Sequence, residues 1–542
     1  MVVEAANFFK VQHSRPQMRV VLFSHEPTAP QGFTMLPGPS GYAQAISALA
    51  RGLRDRGVNA CIVAPSVRTY CSQNDNNILR LQVTPAVKVQ VTRDVDPEGT
   101  PLFLVAKENE RDFFAFPNYF RYQLGDNSGG RYLPVLALLN DNVPSGEEKE
   151  LAGLGNYSSV TMGPRISLFT QALVKVAQAI QAGSDANETV IAHGNDHMTA
   201  AATYLLQQQG MRTVFTVHNP AYRTGIPAAM AELLGIDQTY LPAVPRNGET
   251  QPLIDALELA FRHAGMITTV SPAYAKEIFT WDFGRKGTEG PLYYGEMLQD
   301  RRERGQAVGI LNALQTRFLS PVAKQDAPNI QFLLANRLAE QKGWDGILDG
   351  AAVALDLCQV QPQFEMRVIA DGDPLIAKAL KQAAQGRNNL LLSDYSEDAL
   401  LAAFSRGRQV SLMPSVFEPG GVFAEASQAK GSLVLANPVG GLKDILGEPL
   451  RHDDPIARMV AGSGPALQAR EFGLAFTDLK SRGVFWQGVF QTAHMMSNPE
   501  ARRALDSLVT AAAVRAQAQY APGNVADKYL SQVYEPLLRG NS

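Results

Sequence analysis

Along this chain, short apolar runs are each followed by a turn rich in glycine or proline and then by a stretch with helical spacing. The run Met18-Arg-Val-Val-Leu-Phe-Ser24 ends at a loop and predicts a buried parallel strand. After the Gly/Pro-rich loop 28–41, Ala45, Leu49 and Leu53 recur at helical spacing up to a stop at Gly57, and residues 59–64 predict a second strand. A strand, loop, helix and strand in this order make the unit of a doubly wound sheet. Further strands are predicted over 189–192, 213–217 and 266–270, with an Ala-rich helix over 198–209. The stretch 75–154 has many turn residues and no clear period, and it predicts an insertion with some antiparallel strands. The segment 319–330, with two prolines and several polar residues, predicts a linker. The alternation then restarts, with strands over 331–335, 365–369, 389–392, 410–413 and 433–435 and a helix near 343–357. The fold class expected is α/β, with two Rossmann-like domains facing each other across a cleft. The boundaries expected are an N-terminal extension over 1–17, a first domain over 18–320, a second over 328–515 and a C-terminal helix within 516–542.

The chain has 542 residues, too long for one core. With 45% apolar and 19% charged residues its composition is globular. A formal net charge of -3 gives no bias toward nucleic acid or an anionic membrane, so an anionic ligand must be held by a few placed cations. Cys61, Cys71 and Cys358 form no C-x-x-C, which points to neither a disulfide framework nor a cysteine zinc site. No apolar run approaches the roughly 18 residues of a membrane span. Met1 to Gln17 lacks the apolar core of a signal peptide. The cytoplasm is the expected location, with a leader read by a specialised export system left open.

Three strand-to-helix loops could carry chemistry. In Arg337-Leu-Ala-Glu-Gln-Lys342-Gly343, two cations five apart could both reach a pyrophosphate, or could be ordinary surface charges. In Met413-Pro-Ser-Val-Phe-Glu418-Pro-Gly-Gly421-Val422, the glycines admit close approach of a phosphate or sugar oxygen. Glu418 could accept hydrogen bonds from sugar hydroxyls, or could satisfy free N–H groups at a helix start. The turn Pro438-Val-Gly440-Gly441-Leu-Lys-Asp444 is a third, weaker signal.

Taken in order, Arg337 to Gly343, Asp371-Gly-Asp-Pro374, Tyr395-Ser-Glu397, Phe417-Glu-Pro-Gly-Gly421 and Gly440-Gly-Leu442 with Asp444 resemble the donor domain of the glycogen and starch synthases. Val214 to Tyr222, Thr269 to Glu277 and Gly309-Ile-Leu-Asn312 upstream resemble the same family. The resemblance implies the GT-B fold, with the C-terminal helix after Pro522 crossing back onto the first domain. It implies a retaining hexosyltransferase that takes a hexose, glucose first, from a nucleotide-diphosphate sugar such as ADP-glucose or UDP-glucose. A glucan or other hydroxyl would be the acceptor, with no cofactor and no metal. By that comparison Arg337 and Lys342 bind the donor diphosphate and Glu418 contacts the transferred sugar. Tyr395 stacks on the donor base, and Gly41, Asn312, Gly420, Gly421 and Val422 line the donor.

The departures from the family pattern fall mostly in the first half. Its Lys-x-Gly-Gly-Leu loop reads Gly38-Pro-Ser-Gly41-Tyr42, so the lysine is absent. Its His-Asp-Trp-His aligns with Gly194-Asn-Asp-His197, and its Tyr-x-Asp-Asn-x-x-Arg-Phe falls on Ser159 to Ile166, keeping Arg165 but placing Thr161 at the aspartate. Asn312-Ala-Leu-Gln315 replaces Asn-Gly-hydrophobic-Asp. His193 and His197 have a zinc-like spacing but no intervening glutamate, and are expected as loop histidines at the cleft. His193, His197, Arg165 and His218 are the candidate sugar or acceptor contacts; for His218 a satisfied buried histidine is the equal alternative. Glu425, seven residues after Glu418, is expected to be a surface carboxylate, the alternative being the second glutamate that related transferases with a Glu-x7-Glu pattern place on the donor ribose, although the spacing here is one short. The losses leave a second class of function open: a degenerate relative that binds a nucleotide or glycan and regulates.

Overall fold

The computed structural model describes residues 18–24, 41–65, 78–84, 87–96, 98–107, 159–220, 222–242, 252–280, 293–320, 322–325, 329–357, 364–481 and 483–540. The first sheet contains β1 (Met18–Phe23), β2 (Asn59–Pro65), β3 (Ile78–Thr84), β4 (Val87–Val95), β5 (Pro101–Lys107), β6 (Thr189–Asn195) and β7 (Arg212–Val217). A separate short pair, β8 (Gly225–Ile226) and β9 (Ile254–Asp255), precedes its last strands, β10 (Met266–Thr269) and β11 (Ala307–Gly309). Its order is β11-β10-β7-β6-β1-β2-β5-β4-β3, parallel from β11 to β5 and antiparallel at β4 and β3.

The second sheet holds β12 (Ile330–Leu334), β13 (Phe364–Ile369), β14 (Leu390–Ser393), β15 (Gln409–Met413), β16 (Leu433–Ala436), β17 (Leu467–Arg470) and β18 (Gly473–Phe476). Its order is β14-β13-β12-β15-β16-β18-β17, with only β17 antiparallel. In each sheet the chain winds one way from its first strand and then the other. The reversals fall between β1 and β6 and between β12 and β15, the places where open α/β sheets bind ligands.

The apolar runs become strands because both of their faces are covered. Along β1, Val20 and Leu22 face one side and Val21 and Phe23 the other, the two-residue alternation of a strand. On the first side lies helix α1 (Gly41–Asp55), which buries Ile46, Leu49 and Leu53. On the other lie α2 (Ser159–Ala182) and α3 (His197–Gln208), through Phe169, Leu173, Met198 and Tyr204.

Two further helices, α4 (Val422–Ala429) and α5 (Gly441–Leu446), follow β15 and β16. Helix α6 (Pro499–Gln519) runs along the second sheet, and α7 (Pro522–Tyr529) then returns to the first. There Val525, Tyr529, Val533 and Tyr534 join the cluster under α1. Gly52 makes the close approach possible, since a Cβ at that position would overlap the Pro522 carbonyl. Arg56 and Asp527, 2.6 Å apart, close the outer edge.

Two expectations are corrected. Within 75–154 the described strands are not an insertion: β5 pairs in parallel with β2, and β4 and β3 extend the same sheet. The remainder of that stretch, 75–77, 85–86, 97 and 108–154, lies outside the described residues, as does the extension 1–17. The helix near 343–357 is two pieces, Trp344–Leu348 and Ala351–Leu357, broken where Gly350 takes φ +79°. Among the described residues no helix is long and apolar enough to cross a membrane.

Candidate functional site

The site is built where the two strand-order reversals meet. Arg337 and Lys342 follow β12, and Glu418 follows β15, its neighbour. The two loops are locked together: Val416 N donates to Gln341 O at 2.9 Å, and a Cβ at Gly343, which has φ +77°, would overlap the Pro414 carbonyl. Buried Trp344 donates its indole N–H to Arg337 O at 2.8 Å, fixing the backbone that carries the guanidinium. Lys342 Nζ donates to Glu418 Oε2 at 2.6 Å, and Ser415 Oγ donates to the same oxygen at 2.9 Å. The two side chains are only 11% and 10% exposed, so each charge depends on the other.

The Gly-Gly turn before α5 supports this loop. Gly441 N donates to Glu418 O at 2.9 Å. Gly440 has φ +46° and would overlap Glu418 O if it carried a Cβ, as Gly441 would overlap Gly420 O. Gly421, with φ +98°, caps the start of α4. A Cβ at Gly420 would sit 2.7 Å from Asn312 Nδ2, which places Asn312 against the Glu-Pro-Gly-Gly loop. Val422 packs beside Gly41, with a Cβ at Gly41 falling 3.5 Å from Val422 Cβ. Gly41, Asn312, Gly420, Gly421 and Val422 therefore come together, although they arise from both sheets.

Tyr395 lies half-buried beside the helix Glu397–Phe404. Burial, with Glu397 nearby, pushes its phenol up to about 12. Glu397 is also the hub of an interdomain network: Gln44 on α1 donates to it at 3.0 Å, and Arg317 pairs with its other oxygen. Gln315, where the family has aspartate, accepts from Arg317 at 2.9 and 2.6 Å. The two domains also meet at Ser271, whose Oγ donates to Pro419 O at 2.8 Å. Beside it, Asp444 accepts from Ala273 N at 2.7 Å.

The histidines need correction. His193 is on β6, fully buried and away from the cleft, with Nδ1 2.8 Å from Tyr534 Oη and Nε2 2.6 Å from Thr216 Oγ1. Burial pushes its imidazole down to about 3, so it is a neutral core histidine tying the C-terminal turn to the sheet. The alternation of β6 is the reason: His193 turns toward the C-terminal helices and Gly194 toward α3. A side chain at Gly194 would overlap Thr203 Oγ1 and press on Phe215. His197 is not on a loop either; it starts α3, buried, with Nδ1 2.8 Å from Thr224 Oγ1 and its ring 6.2 Å from that of Tyr222.

His218, at the end of β7, stands half-buried with Nε2 3.2 Å from Asn195 Oδ1 and its ring 4.6 Å from Tyr42. Arg165 lies on α2, but its side chain is outside the described residues, as are Gly38 and the loop 25–40. Glu425 is not a surface carboxylate. It is fully buried on α4 with neither oxygen hydrogen-bonded, and burial beside Glu418 raises its pKa well above the usual carboxylate range.

Several residues at the site were not singled out from the sequence. Tyr42 donates to Asn195 O at 2.9 Å. Asp196, which caps α3, takes φ +62°, a strained conformation for a non-glycine residue at the reversal of the first sheet. The phenol oxygen of Tyr222 accepts from both Arg337 terminal nitrogens, at 3.2 and 3.3 Å. Ser415 and Tyr222 stand inside motifs already recognised, so position alone could have flagged them. The backbone of Asp196 left no trace in the residue types.

Residues 154–293 match the model of the starch synthase catalytic domain family. The chain is similar to the glycogen synthase of Paracidovorax citrulli, 29% identical over 356 residues, covering 58% of this chain and 64% of that one. It is 31% identical over 306 residues to the glycogen synthase of Halorhodospira halophila, covering 50% and 60%. The chain thus spans less than two thirds of the length of these relatives. Among solved structures, the catalytic domain of starch synthase IV from Arabidopsis thaliana, bound to ADP and acarbose, superposes with a TM-score of 0.68. That superposition has 17% identity and covers 97% of this chain and 100% of that one.

Proposed function

We propose, from the premise that this chain is a GT-B relative of the glycogen and starch synthases, that it moves a hexose from a nucleotide-diphosphate sugar to a hydroxyl acceptor. The observation that carries this reading is the convergence of Arg337, Lys342 and Glu418 at the reversal of the second sheet, 2.6 Å separating Lys342 from Glu418. A departing nucleoside diphosphate gains negative charge as the bond from the sugar C1 to its phosphate oxygen breaks. Two cations held on these loops and turned onto the diphosphate when the donor binds lower the barrier to that step. When phosphate oxygens draw Lys342 away, Glu418 is left able to accept from sugar hydroxyls.

In the retaining course the acceptor oxygen forms the new C1–O bond on the face the diphosphate leaves, and its proton passes to the departing phosphate oxygen. Asn312, Gly420, Gly421 and Val422 line the sugar, Gly41 closes it from the first sheet, and Tyr395 stacks on the base. The acceptor lies over the end of the first sheet, beside Tyr42 and His218. That end differs most from the family pattern, which favours weak glucan elongation from ADP-glucose and better activity with another donor–acceptor pair.

The test is a panel of ADP-, UDP- and GDP-sugars, read by thermal shift and by nucleotide release. A ligand at 100 times its Kd adds about 2.7 kcal/mol, a readily measured shift. Binding to none of them, with no release, would sink the proposal. Binding without release would turn it toward the regulatory reading.

A further inference from the structure

We infer that Tyr222 is a positioning residue: it reaches from the first domain to hold the Arg337 guanidinium toward the diphosphate. This rests on the donor reading above and extends it to a residue on the opposite side of the cleft. Its phenol oxygen accepts from Arg337 Nη1 at 3.2 Å and Nη2 at 3.3 Å, and its ring lies 5.9 Å from the guanidinium carbon. A guanidinium has five N–H donors in a rigid plane. A phenol that takes one from each terminal nitrogen orients that plane.

Both ends of the contact are anchored. On the first domain, Asn219 N donates to Asp196 Oδ1 at 3.4 Å and Tyr222 N to Asn219 O at 3.3 Å. Just beyond Tyr222, Ala256 N donates to Thr224 O at 3.0 Å, and Arg223 lies 3.6 Å from Asp255. Asp255 is itself held by the hydroxyl of buried Tyr294 at 2.5 Å. His197, fixed by Thr224, lies beside the Tyr222 ring. On the second domain, Arg337 O accepts from Trp344 and Leu338 N donates to Asp371 O at 2.7 Å. An arginine so held between two rigid walls has little side-chain entropy left to lose when the diphosphate arrives. Because the two partners belong to different sheets, the arginine is aimed only when the domains are together.

The experiment is a double-mutant cycle on the full chain. Affinity for ADP, UDP and GDP is measured by calorimetry for wild type, Tyr222→Phe, Arg337→Ala and the double variant, with melting temperatures alongside. Losing two hydrogen bonds to a charged group should weaken binding of the preferred nucleotide by about tenfold in Tyr222→Phe. The same change should have almost no effect when Arg337 is already alanine. A purely structural tyrosine would shift the melting temperature and act equally in both backgrounds. Equal or tighter binding in Tyr222→Phe, or additive losses, overturns the inference while leaving the donor site intact. Binding of none of the three nucleotides by the wild type removes the donor reading, and this inference with it.

Discussion

Lys342 and Glu418 carry opposite charges 2.6 Å apart at about a tenth of their full exposure, with Ser415 as the second donor to Glu418. Truncating one partner leaves the other poorly solvated, so Lys342→Ala should lower stability by about 1–3 kcal/mol. The larger effect should be on turnover. A cation aimed at charge that develops only as the bond breaks contributes like an oxyanion-hole donor, so nucleotide release should fall about 10²–10³-fold at saturating donor. Both numbers come from one preparation, by chemical denaturation and a release assay. An unchanged rate would return Lys342 to a structural ion pair. At this scale the sequence shows the residue types that function needs at the ends of predictable strands, and the structure places Arg337, Lys342 and Glu418 on the loops after β12 and β15. The sequence was misread for His193 and Glu425. Their residue types suggested a cleft and a surface, and only the pleat of β6 and the packing of α4 against α6 decide that both point inward.

The Gly-Gly turn before α5 is a small element whose purpose the structure makes definite. With φ +46° and the Glu418 carbonyl pressed against it, Gly440 admits no side chain. Gly440→Ala should therefore displace the loop that carries Glu418 and cost about 1–3 kcal/mol. Because a shift of about 1 Å at a reacting centre can cost about 10²-fold in rate, turnover should drop further than stability explains. Full activity in this variant would show that the turn does not position Glu418. The inner strands of both sheets and the first helix of the first sheet were legible because burial on two faces leaves a largely apolar run in each strand, as in β1, β12 and β15. The edges were not. Strands β3 and β4, at the rim of the first sheet, alternate apolar and polar residues instead of forming a continuous apolar run, with Leu79, Leu81 and Val83 and then Val87, Val89 and Val91 at every second position, and Gln468 and Arg470 on β17 interrupt its apolar residues in the same way.

Across the whole molecule, two buried titrating groups hold separate parts of the first domain and respond to acid with opposite signs. Asp96 ties α1 to the β4–β5 turn. It accepts from Ser47 Oγ at 2.6 Å and from Thr100 N at 2.7 Å, and burial pushes its carboxyl up to about 6. Between its ordinary value of 3.8 and about 6 the unfolded chain is ionised while the native one keeps its proton. Stability from this group therefore rises as pH falls through that window, by about 3 kcal/mol in all. His193, pushed down to about 3, binds a proton in the unfolded chain below its ordinary 6.5 but not in the native one. Its contribution falls with acid, by about 3 kcal/mol on reaching pH 4. The two nearly cancel in the wild type. Relative to wild type, Asp96→Asn should make stability fall between pH 6 and 4, and His193→Gln should make it rise, as followed by denaturation at each pH.

The central claim is that a diphosphate clamp on the second sheet drives glycosyl transfer. One measurement tests it most directly: nucleoside diphosphate release from ADP-, UDP- and GDP-glucose in EDTA, comparing wild type with Lys342→Ala. The expected result is release from at least one of these sugars that survives chelation and falls about 10²–10³-fold in the variant. No release from any of them, or the same rate in both proteins, would contradict the account.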